Sequence, residues 1–327
     1  MARTHYATDR GLIARMGATL FLIGLVFTAF IIAIVLLLAN FTSVSGDGII
    51  FIAVLAGVAI SFGSYYWSDK IALATAGAQL VTPQQAPELH GVVDRLCALA
   101  DMPKPRVAIA PTDMPNAFAT GRSSKVAVLC VTEGLLRRLD TNELEGVIAH
   151  EMSHVAHKDV AVMTIASFLG IMAALLVRFA FYSELFGGGG RDRGRGGGGG
   201  DQNTFPVVLA VMAVGIVVYA ISFVLIRLLS RYRELSADRS GALLTGQPSA
   251  LASALVKVSG DMSRIPTRDL RAAEPLNAFY FAPALSGKQG QGQWSLSNLF
   301  STHPSLEKRL KALDEISKQL SSSGSGS

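Results

Sequence analysis

Cysteine is scarce in this chain, with two in 327 residues, Cys97 and Cys130. At most one disulfide can form, which excludes a disulfide-stapled scaffold. The pair reads instead as two small core hydrophobes in a reducing compartment. Charge is scarce as well, at 16% of residues, against about 25% in ordinary soluble domains. Apolar residues make up 50% and the mean hydropathy is +0.41. That much burial capacity excludes disorder of the whole chain. The formal net charge is +5, yet no basic stripe with interleaved aromatics occurs, so nucleic acid is not an expected partner. The cations flank apolar runs, which points to a lipid bilayer and its anionic headgroups.

The missing charges are missing from particular places. Met16–Gly46, Gly48–Ser68, Val160–Val177 and Phe205–Ile226 contain none. A bilayer is crossed by a helix of about 20 apolar residues, so these runs predict four transmembrane helices in two hairpins. The second run ends in Tyr65, Tyr66 and Trp67, residues suited to a membrane–water interface. The first run is too long for a signal-peptide core, and another span follows at once. Arg3, Arg10 and Arg15 precede the first run, Lys70, Arg95, Lys104 and Arg106 follow the second, and Arg231 and Arg233 follow the fourth. The positive-inside rule then places both termini and segment 69–159 in the cytoplasm. The glycine-rich connection at 186–203 carries Arg191, Arg193 and Arg195 on the opposite side and is outvoted. It reads as a flexible linker.

The intervening segment has ordinary composition. Leu89, Val92, Val93, Leu96 and Leu99 recur at helical spacing over 87–100. Arg106–Ala110 and Lys125–Val131 read as strands of a β-hairpin around the turn NAFATGRSSK. Asp140 and Glu143 form a capping-box signature. The helix that it opens continues through His150-Glu151-Met152-Ser153-His154. Histidines four apart share one helical face and can hold one ion. Neutral imidazoles suit tetrahedral zinc, and the intervening Glu151 can take a proton from a metal-bound water. His157 falls off that face and reads as a surface or supporting residue. Glu143, Glu145, Lys158 and Asp159 surround the motif, which places it in water or at the interface.

A catalytic zinc needs a third protein ligand. Glu234, 80 residues beyond His154, is the candidate, with Asp238 one turn later as an orienting carboxylate. Two spans separate them, so the chain returns to the same side of the membrane. Arg231 and Arg233 are expected to anchor that return.

Taken together, NAFATG, VTEGLL, EGVIAHEMSHVAHKD, SRYRELSADRSGA and FSTHPSLEKRL resemble the HtpX-type integral membrane zinc metalloproteases, relatives of the CaaX-prenyl proteases. The resemblance covers about residues 11–318. It implies one Zn2+ per chain on His150, His154 and Glu234, with Glu151 as the general base and Asp238 in support. It also implies a strand edge at Asn116 and Ala117 that pairs with extended substrate, and His303 as an oxyanion stabiliser. From the residues alone, Thr302, His303 and Pro304 open a helix.

The expected architecture is a mostly α membrane protein with a cytoplasmic α+β zincin-like domain. It comprises an N-terminus (1–15), a first membrane hairpin (16–68), a first catalytic part (69–159), a second hairpin (160–228), a second catalytic part (229–320) and a flexible tail (321–327). The implied function is cleavage of misfolded or damaged membrane proteins, or of unfolded polypeptides, at the plasma membrane, as quality control under stress. Alternatives are prenyl-type processing, for which four spans leave little room for a chamber, and a silent scaffold retaining the zinc site. A zinc carrier is disfavoured because no run holds His, Asp or Glu.

Overall fold

The computed structural model describes residues 10–41, 55, 58–60, 62–63, 65–187, 204–262 and 303–324. The segment 266–295, most of the glycine-rich connection and much of the second apolar run lie outside the described residues. The chain divides into two units, one formed by Met1–Met16, Ser64–Val162 and Arg227–Ser327, the other by Gly17–Gly63 and Met163–Ile226.

The second unit contains most of helix α1 (Arg10–Phe41), and parts of α6 (Asp159–Gly187) and α7 (Thr204–Thr245). Phe27 and Phe168 meet with ring centroids 5.8 Å apart. Two of the hydroxyls in these apolar stretches bond back to their own helices, Thr28 Oγ1 to Gly24 O and Ser222 Oγ to Val218 O. Such bonding removes the cost of an unpaired polar group. Phe21, Leu25, Leu209 and Val217 are more than half exposed, as residues bathed in lipid are. Among the described residues, Ile13–Phe30 and Leu209–Thr245 are long and apolar enough to cross a membrane. Among the described residues, a third candidate arises if Asp159–Leu175 is joined to Thr141–Ala156.

The first unit is built on a four-stranded sheet of order β1-β2-β4-β3: β1 (Gln79–Leu80), β2 (Arg106–Ala110), β3 (Ala117–Thr120) and β4 (Val128–Thr132). The expected hairpin of 106–110 with 125–131 is not formed. β2 and β4 run parallel, and the connection between them supplies β3, antiparallel to β4. The reason lies in β4, whose apolar VLCV run and closing Thr132 are all buried. A strand apolar on both faces belongs at the centre with a neighbour on each side. Gly121 makes the β3–β4 turn possible. Its φ is +135°, and a Cβ there would lie 2.8 Å from Ala127 Cα.

Alternation of side chains gives the sheet two faces. Val107, Leu129 and Val131 join the main core, with α3 (Pro87–Ala100), α5 (Thr141–Ala156), α8 (Pro248–Met262) and α9 (Leu306–Gly324). Ala108, Phe118 and Cys130 face Ala72 of α2 (Ser68–Ala76). Each fully buried core side chain, such as Ile148 or Met152, contributes about 1.5–3 kcal/mol. Cys97 and Cys130 are buried free thiols. Burial pushes their pKa up to about 11 and about 12, so both stay protonated and inert. The short helix α4 (Glu133–Leu136) is capped by Thr132. Helix α9 runs through 321–324, so the expected tail begins as helix, with Ser321 Oγ bonded to Lys318 O.

Candidate metal centre

The capping box on Asp140 is present, its carboxylate accepting from the Asn142 and Glu143 N–H groups while Glu143 accepts from Asp140 N. It fixes where α5 starts and therefore which face carries the histidines. His150 and His154 stack edge to face with centroids 4.9 Å apart. From α7, Glu234 reaches both: Oε2 lies 3.6 Å from His150 Nε2, and Oε1 lies 3.5 Å from His154 Nε2. Tetrahedral zinc with bonds of about 2.1 Å needs ligand atoms about 3.4 Å apart. The candidate ligand atoms of the three residues all lie within 4.8 Å of one another.

The close approach of α7 to α5 depends on Gly241. A Cβ there would stand 2.9 Å from His150 N. On the other side of α5, a Cβ on Gly146 would press on Leu251 of α8 at 3.2 Å.

Each histidine is steered by a carboxylate, and each carboxylate by an arginine. His150 Nδ1 lies 2.9 Å from Asp238 Oδ1, and Arg309 donates to both oxygens of Asp238. His154 Nδ1 donates to Asp159 Oδ2 at 2.6 Å, and Arg233 forms an ion pair with the same oxygen at 2.9 Å. A carboxylate on Nδ1 selects the tautomer that leaves the Nε2 lone pair for a metal. Four buried carboxylates (Glu151, Asp159, Glu234, Asp238) thus share the site with two guanidiniums. The two uncompensated negative charges match a divalent cation. Burial disfavours charge on His150, but the Asp238 and Glu234 carboxylates push its pKa up to about 9. Donor chemistry, spacing and charge all fit zinc.

Glu151 is 5% exposed. Burial raises its carboxyl above the usual range, and its Oε2 accepts from the Ala119 N–H at 3.2 Å. That bond ties Glu151 to the edge strand. Asn116 O accepts from Thr132 N, and Asn116 N donates to Thr132 Oγ1, both at 2.9 Å. Alternation along an antiparallel pair then turns the main chain of Ala117 and Ala119 to the open edge. Asn116 holds the strand in register, and the main chain of Ala117 lies along the open edge.

His303 is 6% exposed, and its Nδ1 lies 3.1 Å from Glu234 Oε2. The helix after it opens at Leu306 rather than at Pro304. Ser305 Oγ accepts from Lys308 N, and serine caps a helix start better than proline. His157 ends α5 and stays outside the ligand group. Its neighbour Lys158 has φ +57°, and that kink brings Asp159 back to His154. Arg233, expected at the headgroups, is turned instead to Asp159 and is 12% exposed, because a buried carboxylate requires a partner.

Sequence reasoning missed Arg309, Asp159 and Arg233. A signal for Arg309 was available. Leu306, Leu313, Ile316 and Leu320 mark the buried stripe of α9, and Arg309 stands on it, the one charge in that phase.

The profile of peptidase family M48 matches residues 83–317. "Protease HtpX homolog 1" of Streptomyces coelicolor is 56% identical, covering 97% of this chain and 97% of its own length. "Protease HtpX homolog" of Moorella thermoacetica is 47% identical over 97% of this chain and 98% of its own. A crystal structure of S. mikatae Ste24p has a similar fold, with a TM-score of 0.50 at 17% identity, covering 95% of this chain and 68% of that one. The family profile spans most of the chain and the relatives span nearly all of it: the chain belongs to peptidase family M48.

Proposed function

We propose that this protein is a zinc-dependent endopeptidase of the plasma membrane that cuts misfolded or damaged membrane proteins on the cytoplasmic side. The observation that carries the reading is the meeting of His150, His154 and Glu234 beside a buried Glu151 that is itself bonded to an open sheet edge. The four uncharged runs serve as spans, and the basic residues around them orient both termini and the site toward the cytoplasm.

When bound by the three ligands, zinc supplies Lewis acidity toward a carbonyl and makes a nearby water more acidic. The remaining work falls to the chain. Ala117 and Ala119 offer main-chain groups to an extended peptide, as an added strand would use them. Glu151 takes the proton of the attacking water and returns it to the leaving amine, the two halves of acid–base catalysis. Its raised carboxyl pKa brings it closer to the range in which both steps run near neutrality. His303, beside Glu234, is assigned the steadying of negative charge on the carbonyl oxygen. Asp238 and Asp159 hold the imidazoles in place.

The test is Glu151→Gln in the purified full chain. Metal content should match the wild type while cleavage of an unfolded membrane protein disappears. Retained cleavage overturns the mechanism. In Glu234→Gln, unchanged metal content overturns the third ligand.

A further inference from the structure

At the end of the second apolar run, within the sheet-bearing unit, lies a cavity of about 300 Å3, the low end of the range for small-molecule sites. Its wall carries two aromatic side chains, Tyr66 and Trp67, and four cations, Lys70, Arg106, Arg122 and Lys125. Asp69 is the one carboxylate in the lining, and it is already bound to Arg106 at 2.6 Å.

Arg122 is fixed in place. Its guanidinium sits over the Tyr66 ring, 4.3 Å from the centroid, and donates to Tyr66 O at 3.2 Å, while Tyr65 Oη donates to Arg122 O at 3.1 Å. Lys70 and Lys125 are exposed. Among the described residues neither they nor Arg122 pairs with a carboxylate. Three cations therefore converge on one small space with no acid to offset them, an arrangement that an anion relieves. Tyr66 and Trp67 are 42% and 49% exposed and meet edge to face. Half-exposed rings of this kind sit at the headgroup level of bilayers. Chain position agrees. Gly48–Ser68 is uncharged, and Asp69 and Lys70 are the first charges after it.

We propose that this cavity binds the phosphate of an anionic phospholipid headgroup, with Arg122, Lys70 and Lys125 as its donors and the two aromatic rings against the glycerol and upper acyl region. The proposal rests on the reading of Gly48–Ser68 as a span. It assigns the bilayer a specific site on the catalytic unit rather than a diffuse attraction to its net charge.

The experiment is calorimetric titration of the detergent-purified full chain with a short-chain phosphatidylglycerol, a short-chain phosphatidylcholine and inorganic phosphate in separate arms. The anionic lipid should bind saturably, and at least about tenfold more weakly to Lys70→Gln/Lys125→Gln. Both lysines are exposed, so the variant keeps its fold and its cleavage of a soluble peptide. Arg122→Gln should show the same loss. Equal binding by variant and wild type overturns the site, as does equal affinity for the zwitterionic lipid. Inorganic phosphate binding as tightly as the anionic lipid overturns the lipid as its source. The span itself is tested separately with Ile60→Cys in proteoliposomes. Labelling by a water-soluble maleimide removes that premise without touching the phosphate measurement.

Discussion

Arg309 holds Asp238 by two hydrogen bonds, Nε to Oδ2 at 2.7 Å and Nη2 to Oδ1 at 2.6 Å, and neither side chain is more than 1% exposed. A buried carboxylate of this kind exists only because its charge is matched. Asp238 can therefore face His150 Nδ1 as an anion, and the orientation of a candidate metal ligand is fixed from the last described helix of the chain.

Removing the guanidinium should be costly twice over. Arg309→Met leaves Asp238 buried and unpaired, with an expected loss of about 3–5 kcal/mol in stability. Arg309→Lys keeps the charge but not the fork, so it should fold while binding metal about 10–100-fold more weakly. Thermal denaturation reads the first effect and metal retained against graded chelator the second. Wild-type retention in the lysine variant would remove Arg309 from the metal site's support.

Gly241→Ala should push α7 away from α5, since the new Cβ would stand 2.9 Å from His150 N. Overpacking at a close contact costs about 1–3 kcal/mol, and the separation acts directly on the Glu234-to-histidine distances. The variant should lose metal affinity by a larger factor than a surface glycine replacement such as Gly260→Ala, where a Cβ meets nothing within 4 Å. Chelator titration of the two side by side decides it.

Ala119→Pro removes an N–H that the sheet does not use. The ladder of β3 with β4 survives, because proline is tolerated where an edge strand faces outward. The bond to Glu151 Oε2 at 3.2 Å is lost. Far-UV circular dichroism and metal content should stay near the wild type while peptide cleavage falls at least about tenfold. Unimpaired cleavage would show that this bond does not contribute.

The capping box gives a pH signature. Burial works against the charge on Glu143, but Lys257 and Ser253 bond to it and hold its carboxyl below the usual range. A folded-state pKa below the unfolded one adds stability that is present above the unfolded value and is lost as pH falls through the folded one. Glu143→Gln keeps the capping geometry and removes the charge. The wild type should be the more stable at pH 6–8, and the difference should shrink below about pH 4.3, the ordinary glutamate value. A difference that persists unchanged in acid would assign the effect to packing instead.

The sequence made visible those parts of the structure that depend on local order. The start of α3 at Pro87, the capping box and the shared face of His150 and His154 each involve residues a turn or less apart. Glu234 was suggested by its place one helical turn before Asp238, and it meets His150 and His154. What escaped were relationships fixed by tertiary packing. The parallel β2–β4 pairing arises because a doubly apolar strand takes the centre, and no local turn signal specifies it. Asp159 reaches His154 only through a left-handed residue, Lys158, whose side chain gives no hint of that conformation. Arg233 reads as a membrane anchor until the partner opposite it is known.

The parts of the metal centre are spread along the chain in three instalments, at 150–159, 233–238 and 303–309. Synthesis runs in that order and domains fold as they emerge. A nascent chain that has exposed the two histidines and Glu151 still lacks Glu234, the third member of the candidate cluster. After Glu234 and Asp238 appear, Asp238 still waits for Arg309. The candidate metal centre is therefore complete only once the chain through Arg309 has been made.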